Sequence, residues 1–176
     1  CSSDLKISIL ILTHKNIDHI YNLAQQMPDS SFYIHVDSKA DITKIKKEFI
    51  NVKNIFFVEN RVDIKWAGFS MVQATLNLMN YALQHDESNE YFHLISGDDV
   101  FLTDLLAWND SQIYMECKES KEHRYRMRFN APHADTQYQR SIFGKLLTQG
   151  YKFLDKLVPT AEKFYFGSQW FSIRRE

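Results

Sequence analysis

The adjacent carboxylates Asp98 and Asp99 are the first residues of this sequence that suggest chemistry, because they follow Gly97 directly after a predicted strand. Carboxylate oxygens are hard ligands that suit magnesium or manganese bridging a diphosphate, so the pair is consistent with a metal-assisted site. The alternative is a turn, since an aspartate after glycine commonly bonds nearby backbone amides. The pair alone leaves both interpretations open.

Three further polar residues follow predicted strands or lie within them. Asp37 follows a short apolar strand, where its carboxylate can either cap the next helix or accept from a ribose hydroxyl or a base N–H. His14 and His35 have no serine or cysteine nucleophile as an evident partner, so structural roles are predicted for both. No catalytic triad is assigned.

Two other groups admit a binding or a structural interpretation. Trp66 precedes Ala67-Gly68-Phe69, which gives a surface suited to stacking a base or a sugar, with core packing as the equal alternative. Four cations at Lys121, Arg124, Arg126 and Arg128 could bond sugar hydroxyls or a carboxylate-bearing acceptor. They could equally form the solvated face of a strand.

The elements that must position these residues alternate between strand and helix over the first hundred residues. Apolar runs predict strands, and helical spacing predicts a helix at 17–27 capped by Asn16 and one that follows a capping box at Ser70 and Gln73. The pattern predicts an α/β fold with a mostly parallel sheet, in which polar residues after the strands share one rim. The predicted strands are 7–12, 32–36, 55–58 and 91–95, and a further helix covers 42–50.

The remaining third of the chain has a looser pattern. Alternating aromatic and apolar residues predict a strand at 124–129, with the arginines on its other face. A helix is predicted at about 139–157 with a break at Gly150, and aromatic content predicts a final strand at 164–173.

Composition excludes several classes of protein. A net charge of −1 gives no general attraction to nucleic acid or an anionic membrane, and the longest apolar run is far too short to span a bilayer. Cys1 and Cys117 cannot make a disulfide framework or a four-ligand zinc site. The five glycines lack the spacing of a dinucleotide-binding or P-loop motif.

Five motifs in order resemble glycosyltransferase family 14, the core-2/I-branching N-acetylglucosaminyltransferases and peptide xylosyltransferases, and especially its smaller bacterial members. The motifs are ILILTHK at 9–15, FYIHVD at 32–37, WAGFSMVQATL at 66–76, FHLISGDD at 92–99 and GSQWF at 167–171. The resemblance implies a GT-A type, Rossmann-like fold in one domain over 1–176. Its nucleotide-binding half would span about 5–108, and its acceptor-side portion about 109–176.

The resemblance also implies an activity and a set of site residues. The activity is inverting transfer of a sugar, N-acetylglucosamine or xylose, from a UDP donor to a glycan or glycolipid acceptor, without a divalent metal or other cofactor. By position, Leu12, Asp37 and Trp66 would contact the uridine. The donor and acceptor side would comprise Asp98, Asp99, Lys121, Arg124 and Trp170, with Lys121 and Arg124 matching a Lys-x-x-Arg pair that binds acceptor.

Two departures from the family pattern qualify these expectations. Phe101 stands where the family usually has proline, and residues 109–159 match the family pattern poorly, so no particular acceptor is predicted. The family's catalytic base is a glutamate in a later segment, so it is expected beyond Glu176, and the chain is expected to be truncated.

Two alternatives remain, a non-catalytic nucleotide-sugar or carbohydrate-binding module and a metal-dependent GT-A enzyme of another family. The few cysteines and the absence of an anchor predict a bacterial cytoplasmic protein, with peripheral attachment to the inner membrane as an option.

Overall fold

A six-stranded, mostly parallel sheet forms the centre of the molecule. The computed structural model describes residues 6–15, 17–66, 68–99, 113–122, 124–129, 133 and 136–175. The strands of the sheet are β1 (Ile7–Thr13), β2 (Ser31–Val36), β3 (Ile55–Phe57), β4 (Tyr91–Ser96), β5 (Ile113–Met115) and β8 (Phe171–Arg174). They lie in the order β3-β2-β1-β4-β8-β5, in which β1 to β4 run parallel and β8 is antiparallel to both neighbours.

Five helices and a small two-stranded sheet complete the described part of the chain. The helices are α1 (Asp18–Gln26), α2 (Ile42–Glu48), α3 (Phe69–His85), α4 (Arg124–Arg128) and α5 (Ile142–Leu157). The small sheet pairs β6 (Lys118–Glu119) with β7 (Tyr165–Phe166) in antiparallel fashion. Of the helices that are described, none combines the length and the apolar character that a bilayer crossing requires.

Strand β1 divides the core between the two faces of the sheet, because successive side chains of a strand point in opposite directions. Ile9 and Ile11 pack in one cluster with residues of α1 and α2, while Leu10 and Leu12 pack in a second cluster with Ala74, Leu78 and Ala82 of α3. All seven residues of β1 are buried. A strand buried on both faces is typical of parallel α/β sheets, so the predicted fold class is confirmed and is consistent with a GT-A-like fold.

The strand register brings the carboxyl ends of β1, β2 and β4 to one level. Thr13 lies opposite Val36, and Leu12 lies opposite Ser96. Hydrogen bonds continue past the strand ends, since Asp37 donates its backbone N–H to Thr13 O at 2.8 Å and Gly97 donates to Leu12 O at 2.9 Å. The residues that follow these three strands therefore share one edge of the sheet, as predicted.

Two predictions about helix starts have different outcomes. Asn16 lies outside the described residues, and Ile17 holds the N-cap position of α1 with no side-chain cap. The capping box at Ser70 and Gln73 is wrong, because α3 already begins at Phe69 after Gly68. Ser70 instead accepts from the backbone N–H of Lys65 at 2.8 Å and fixes the loop before the helix.

The strand predicted at 124–129 is wrong, since Arg124 to Arg128 form helix α4. Residues four apart lie on one face of a helix, which lets Arg124 and Arg128 reach the same carboxylate, Asp155 of α5. In a strand the same two residues would lie about 13 Å apart along the chain instead of about 6 Å, so sharing one carboxylate favours the helix.

The end of the chain differs from the prediction in two places. Helix α5 begins after Ser141, whose Oγ accepts from Gly144 N at 3.1 Å, and it continues through Gly150 without the predicted break. The single strand predicted at 164–173 is wrong as well, because β7 and β8 belong to different sheets. The proposed division at residue 108 lies outside the described residues and stays a prediction.

Candidate functional site

An open cleft of about 690 Å³ lies at the edge of the sheet where β1, β2 and β4 end. Its lining comes from the ends of these three strands and from residues around the start of α3, before α5 and before β8. This volume falls in the range of about 300 to 1,000 Å³ that is usual for small-molecule sites. The lining includes Leu12, Thr13, His14, Asp37, Trp66, Asp98, Gln139, Arg140, Gln169 and Trp170.

Asp37 is the most buried carboxylate of the cleft, at 5% exposure. Its Oδ1 accepts from the backbone N–H of Lys39 at 2.9 Å, and its Oδ2 lies 3.5 Å from Lys39 Nζ. Arg61 donates to the backbone carbonyl of Asp37 at 3.3 Å. These contacts fix the carboxylate at the end of β2, where its remaining lone pairs can accept from a ligand hydroxyl or N–H.

Trp66 forms an exposed aromatic wall of the cleft, with 63% of its surface accessible. Gln139 Nε2 donates to its backbone carbonyl at 2.7 Å, and the guanidinium of Arg140 lies 5.6 Å from the ring centroid. The sequence predicted Trp66 at this site but gave no role to Gln139 or Arg140. They lie more than seventy residues away along the chain and were assigned to a helix, so no local pattern could identify them.

Lys39 and Lys65 are the other two lysines or arginines among the described residues that line the cleft, and both are paired with a carboxylate. Lys39 Nζ lies 2.6 Å from Asp63 Oδ1, and Lys65 Nζ lies 2.8 Å from Asp63 Oδ2. The bond to Asp63 raises the pKa of Lys39, and the same bond lowers the pKa of the Asp63 carboxyl. Arg140 is the third lysine or arginine among the described residues that line the cleft, and it makes no such ion pair with them.

Asp98 and Asp99 have separate partners. Asp98 Oδ1 forms an exposed ion pair with Lys15 Nζ at 2.8 Å, and this bond lowers the pKa of the Asp98 carboxyl. Asp99 Oδ2 accepts from the backbone N–H of Ser96 at 2.7 Å, which is the turn arrangement considered from the sequence. Asp98 lines the cleft and Asp99 does not.

A divalent metal would have to displace both interactions if it used this carboxylate pair. Within the described residues, no three His, Cys, Asp or Glu side chains are grouped so that they could hold a metal ion. The independence from metal that the resemblance implies stays a prediction.

Lys121 and Arg124 lie away from this cleft. They line a separate, mainly polar pocket of about 240 Å³ beside Glu162 and Lys163, and the two cavities share no lining residue. Arg124 Nε donates to the two carboxylate oxygens of Asp155 at 3.0 and 2.9 Å, so its guanidinium is largely engaged within the protein. The structure therefore does not bring this predicted acceptor pair together with Asp37 and Trp66.

Trp170 and the histidines complete the account of the predicted residues. Trp170 is half-buried, packs against the core cluster under α3 and lines the cleft. His14 is exposed at the rim. His35 is fully buried and accepts from Val62 N at 3.0 Å, so the structural role predicted for it is confirmed.

The sequence gave no role to a further buried histidine, His93 of β4. Its Nδ1 lies 2.6 Å from Ser172 Oγ on β8, and burial lowers its pKa to about 4. His93 thus links the parallel part of the sheet to its antiparallel edge as a neutral imidazole.

Comparison with known proteins identifies the family. Residues 9–176 match the family described as Core-2/I-Branching enzyme. The chain is 27% identical over 152 residues to a beta-1,3-galactosyl-O-glycosyl-glycoprotein beta-1,6-N-acetylglucosaminyltransferase of bovine herpesvirus 4 (strain LVR140), an alignment covering 78% of this chain and 34% of that protein. The chain is also 25% identical over 151 residues to the beta-1,3-galactosyl-O-glycosyl-glycoprotein beta-1,6-N-acetylglucosaminyltransferase 3 of Rattus norvegicus. That alignment covers 79% of this chain and 35% of the rat protein.

The chain thus spans about a third of the length of the curated relatives it matches. The family match, in contrast, extends over nearly all of its residues and includes the three strand ends, Trp66 and Trp170 that form the cleft. On this basis the chain belongs to the Core-2/I-Branching enzyme family.

Proposed function

We propose that this chain forms the donor-binding side of an inverting glycosyltransferase that transfers a sugar from a UDP donor to a glycan or glycolipid acceptor. N-acetylglucosamine is the proposed sugar, because both relatives carry N-acetylglucosaminyltransferase names, and xylose is the alternative. The observation that carries the proposal is the convergence of Leu12, Asp37 and Trp66 on one cleft from three distant parts of the sequence. A bacterial origin and a cytoplasmic location stay predictions.

The uridine is proposed to occupy the part of the cleft between Asp37 and Trp66. The Asp37 carboxylate only accepts hydrogen bonds when ionised, which suits a ribose hydroxyl or the N–H of a pyrimidine base. The exposed indole of Trp66 provides a flat apolar surface for stacking. Loss of the Asp37 charge should therefore weaken the binding of nucleoside and nucleotide alike.

The diphosphate is proposed to lie beside Arg140. This guanidinium lines the cleft without a carboxylate partner among the described residues, whereas Lys39 and Lys65 share Asp63. A guanidinium can donate two parallel hydrogen bonds to a phosphate, an arrangement suited to a leaving group that gains negative charge. No proton transfer is assigned to a residue of this chain.

Calorimetric titrations with UDP and with UDP-N-acetylglucosamine test the donor site, and a separate titration with ADP is the control. We expect binding selective for uridine nucleotides, of equal strength in EDTA and with manganese. Asp37→Asn should weaken UDP binding by about tenfold, the equivalent of losing one charge-assisted hydrogen bond. The matched control is Asp29→Asn, an exposed aspartate just before β2 at the opposite edge of the sheet. Equal affinity for UDP and ADP would contradict the proposal, and affinity that needs manganese would favour the metal-dependent alternative.

Arg140→Gln separates the phosphate role from the nucleoside role. We expect it to weaken UDP binding by about tenfold and to leave uridine binding unchanged, because uridine has no phosphate. Arg174→Gln is the control, since Arg174 is exposed and pairs with Tyr91 at the far end of β4. If Arg140→Gln weakened uridine as much as UDP, the residue would act on the nucleoside or on Trp66, and the assignment to the diphosphate would be wrong.

A further inference from the structure

Helix α5 presents its apolar side to solvent and its polar side to the protein. Five large side chains recur at helical spacing on the exposed side, and Ile142, Leu146 and Phe153 are 79%, 65% and 61% accessible. Phe143 and Leu157 extend the same surface, which we call the α5 apolar face. A continuous apolar surface on a helix of 16 residues marks an interaction site more often than a solvated one.

The inward side of α5 is held by ion pairs, a hydrogen bond and an aromatic contact, so the helix cannot simply rotate to bury its apolar face. Asp155 is 5% exposed and accepts from Arg124 and Arg128 of α4. Thr148 Oγ1 lies 2.9 Å from His133 Nε2, and Tyr151 stacks on Phe129 at a centroid distance of 5.8 Å. These contacts lie on the opposite side of the helix from Ile142 and Leu146.

The charges of α5 indicate the chemistry of the partner. Asp155 is the one acidic residue of the helix, and it is buried in its ion pairs. The remaining charges are Lys145, Lys152 and Lys156, which recur at helical spacing. Lys145 and Lys156 are exposed along one border of the α5 apolar face, and the ammonium of Lys152 lies 5.6 Å from the ring centroid of Tyr125 on α4. An apolar helix face bordered by lysines is complementary to the interface of an anionic bilayer.

We propose that the α5 apolar face docks on an anionic membrane surface, with the helix lying in the plane of the interface. The net charge of the whole chain, −1, gives no sign of this because it averages a local row of lysines against carboxylates elsewhere. Docking would place one side of the cleft near the lipid headgroups, because four of its lining residues lie just before α5, namely Thr136, Gln137, Gln139 and Arg140. The inference does not rest on the proposed glycosyltransferase activity.

Sedimentation with vesicles tests the proposal on the whole chain. We expect it to sediment with phosphatidylcholine vesicles that contain phosphatidylglycerol, and at least about tenfold less with phosphatidylcholine alone. The double variant Leu146→Gln/Phe153→Gln should lose at least about tenfold in partitioning, because both side chains leave water on docking. Ile50→Gln, just after the C-cap of α2, is the control for an equally exposed apolar residue.

A variant that removes two lysine charges provides a second, independent test of membrane binding. Lys145→Gln/Lys156→Gln should weaken binding to anionic vesicles by about tenfold or more, whereas the control Lys44→Gln/Lys47→Gln on α2 should not. The proposal is overturned if the chain sediments with neither kind of vesicle. It is also overturned if the apolar double variant binds anionic vesicles as strongly as the unaltered chain. It is also overturned if light scattering without lipid shows a dimer that the apolar double variant abolishes, since the face would then be occupied by a second copy.

Discussion

Replacement of Asp155 by asparagine tests the ion pairs that hold α4 on α5. The carboxylate is 7% exposed as a side chain, and its partners Arg124 and Arg128 are 18% and 15% exposed. Asparagine keeps the shape but removes the charge, which leaves two largely buried guanidinium groups without their counter-ion. Loss of one partner of a buried pair costs about 3 to 5 kcal/mol, and the residual exposure of the arginines favours the lower end.

We therefore expect Asp155→Asn to reduce the free energy of unfolding by about 3 kcal/mol. With a denaturant dependence of about 2 kcal/mol per molar urea, the unfolding midpoint should fall by about 1.5 M. Urea titration followed by circular dichroism measures this shift. Asp63→Asn is the matched control, because Asp63 also binds two cations but is half exposed. The urea midpoint of this variant should therefore barely change.

A midpoint shift for Asp155→Asn no larger than that of the control would refute the reasoning. A second variant distinguishes charge burial from loss of shape. Asp155→Leu with Arg124→Met and Arg128→Met removes all three charges together, and replacement of a buried ion cluster by apolar residues often preserves stability. This triple variant should recover most of the free energy that the single change removes.

Two further predictions concern packing and pH. Gly97→Ala should destabilise the fold by about 1 to 3 kcal/mol, because an added Cβ would lie 2.5 Å from Thr13 Oγ1 and 2.7 Å from Ile17 Cγ2. Gly150→Ala, with nothing within 4 Å of its added Cβ, should instead stabilise α5 by about 0.5 to 1 kcal/mol, and thermal unfolding of both variants checks the opposite signs. Burial lowers the pKa of His93 from 6.5 to about 4, so the unfolded chain binds more protons in this interval. The contribution of about 3 kcal/mol is complete above pH 6.5, falls progressively between pH 6.5 and about 4, and is lost below that. A His93→Gln variant with the same pH dependence of stability would contradict this prediction.

Local sequence patterns alone were sufficient to predict the first half of the fold and part of the candidate site. Hydrophobic periodicity and polar residues after each apolar run predicted β1 to β4 and the shared rim, because a strand buried on both faces leaves a continuous apolar run. Asp37 is predicted in the same way, because it directly follows the apolar run of β2. Trp66 is predicted instead as a large aromatic before a small pair ahead of a helix. The uridine contacts proposed for both positions come from the family motifs, since periodicity carries no such information.

Tertiary structure alone decided the remaining assignments. Residues 124–128 alternate like a strand, but they form a helix in which Arg124 and Arg128 both bind Asp155, about thirty residues away in the sequence. Gln139 and Arg140 join the cleft only because α5 begins beside Trp66. The sequence records which side chains can bind, pack or carry charge, whereas packing between distant elements determines which of them meet and which become engaged within the protein.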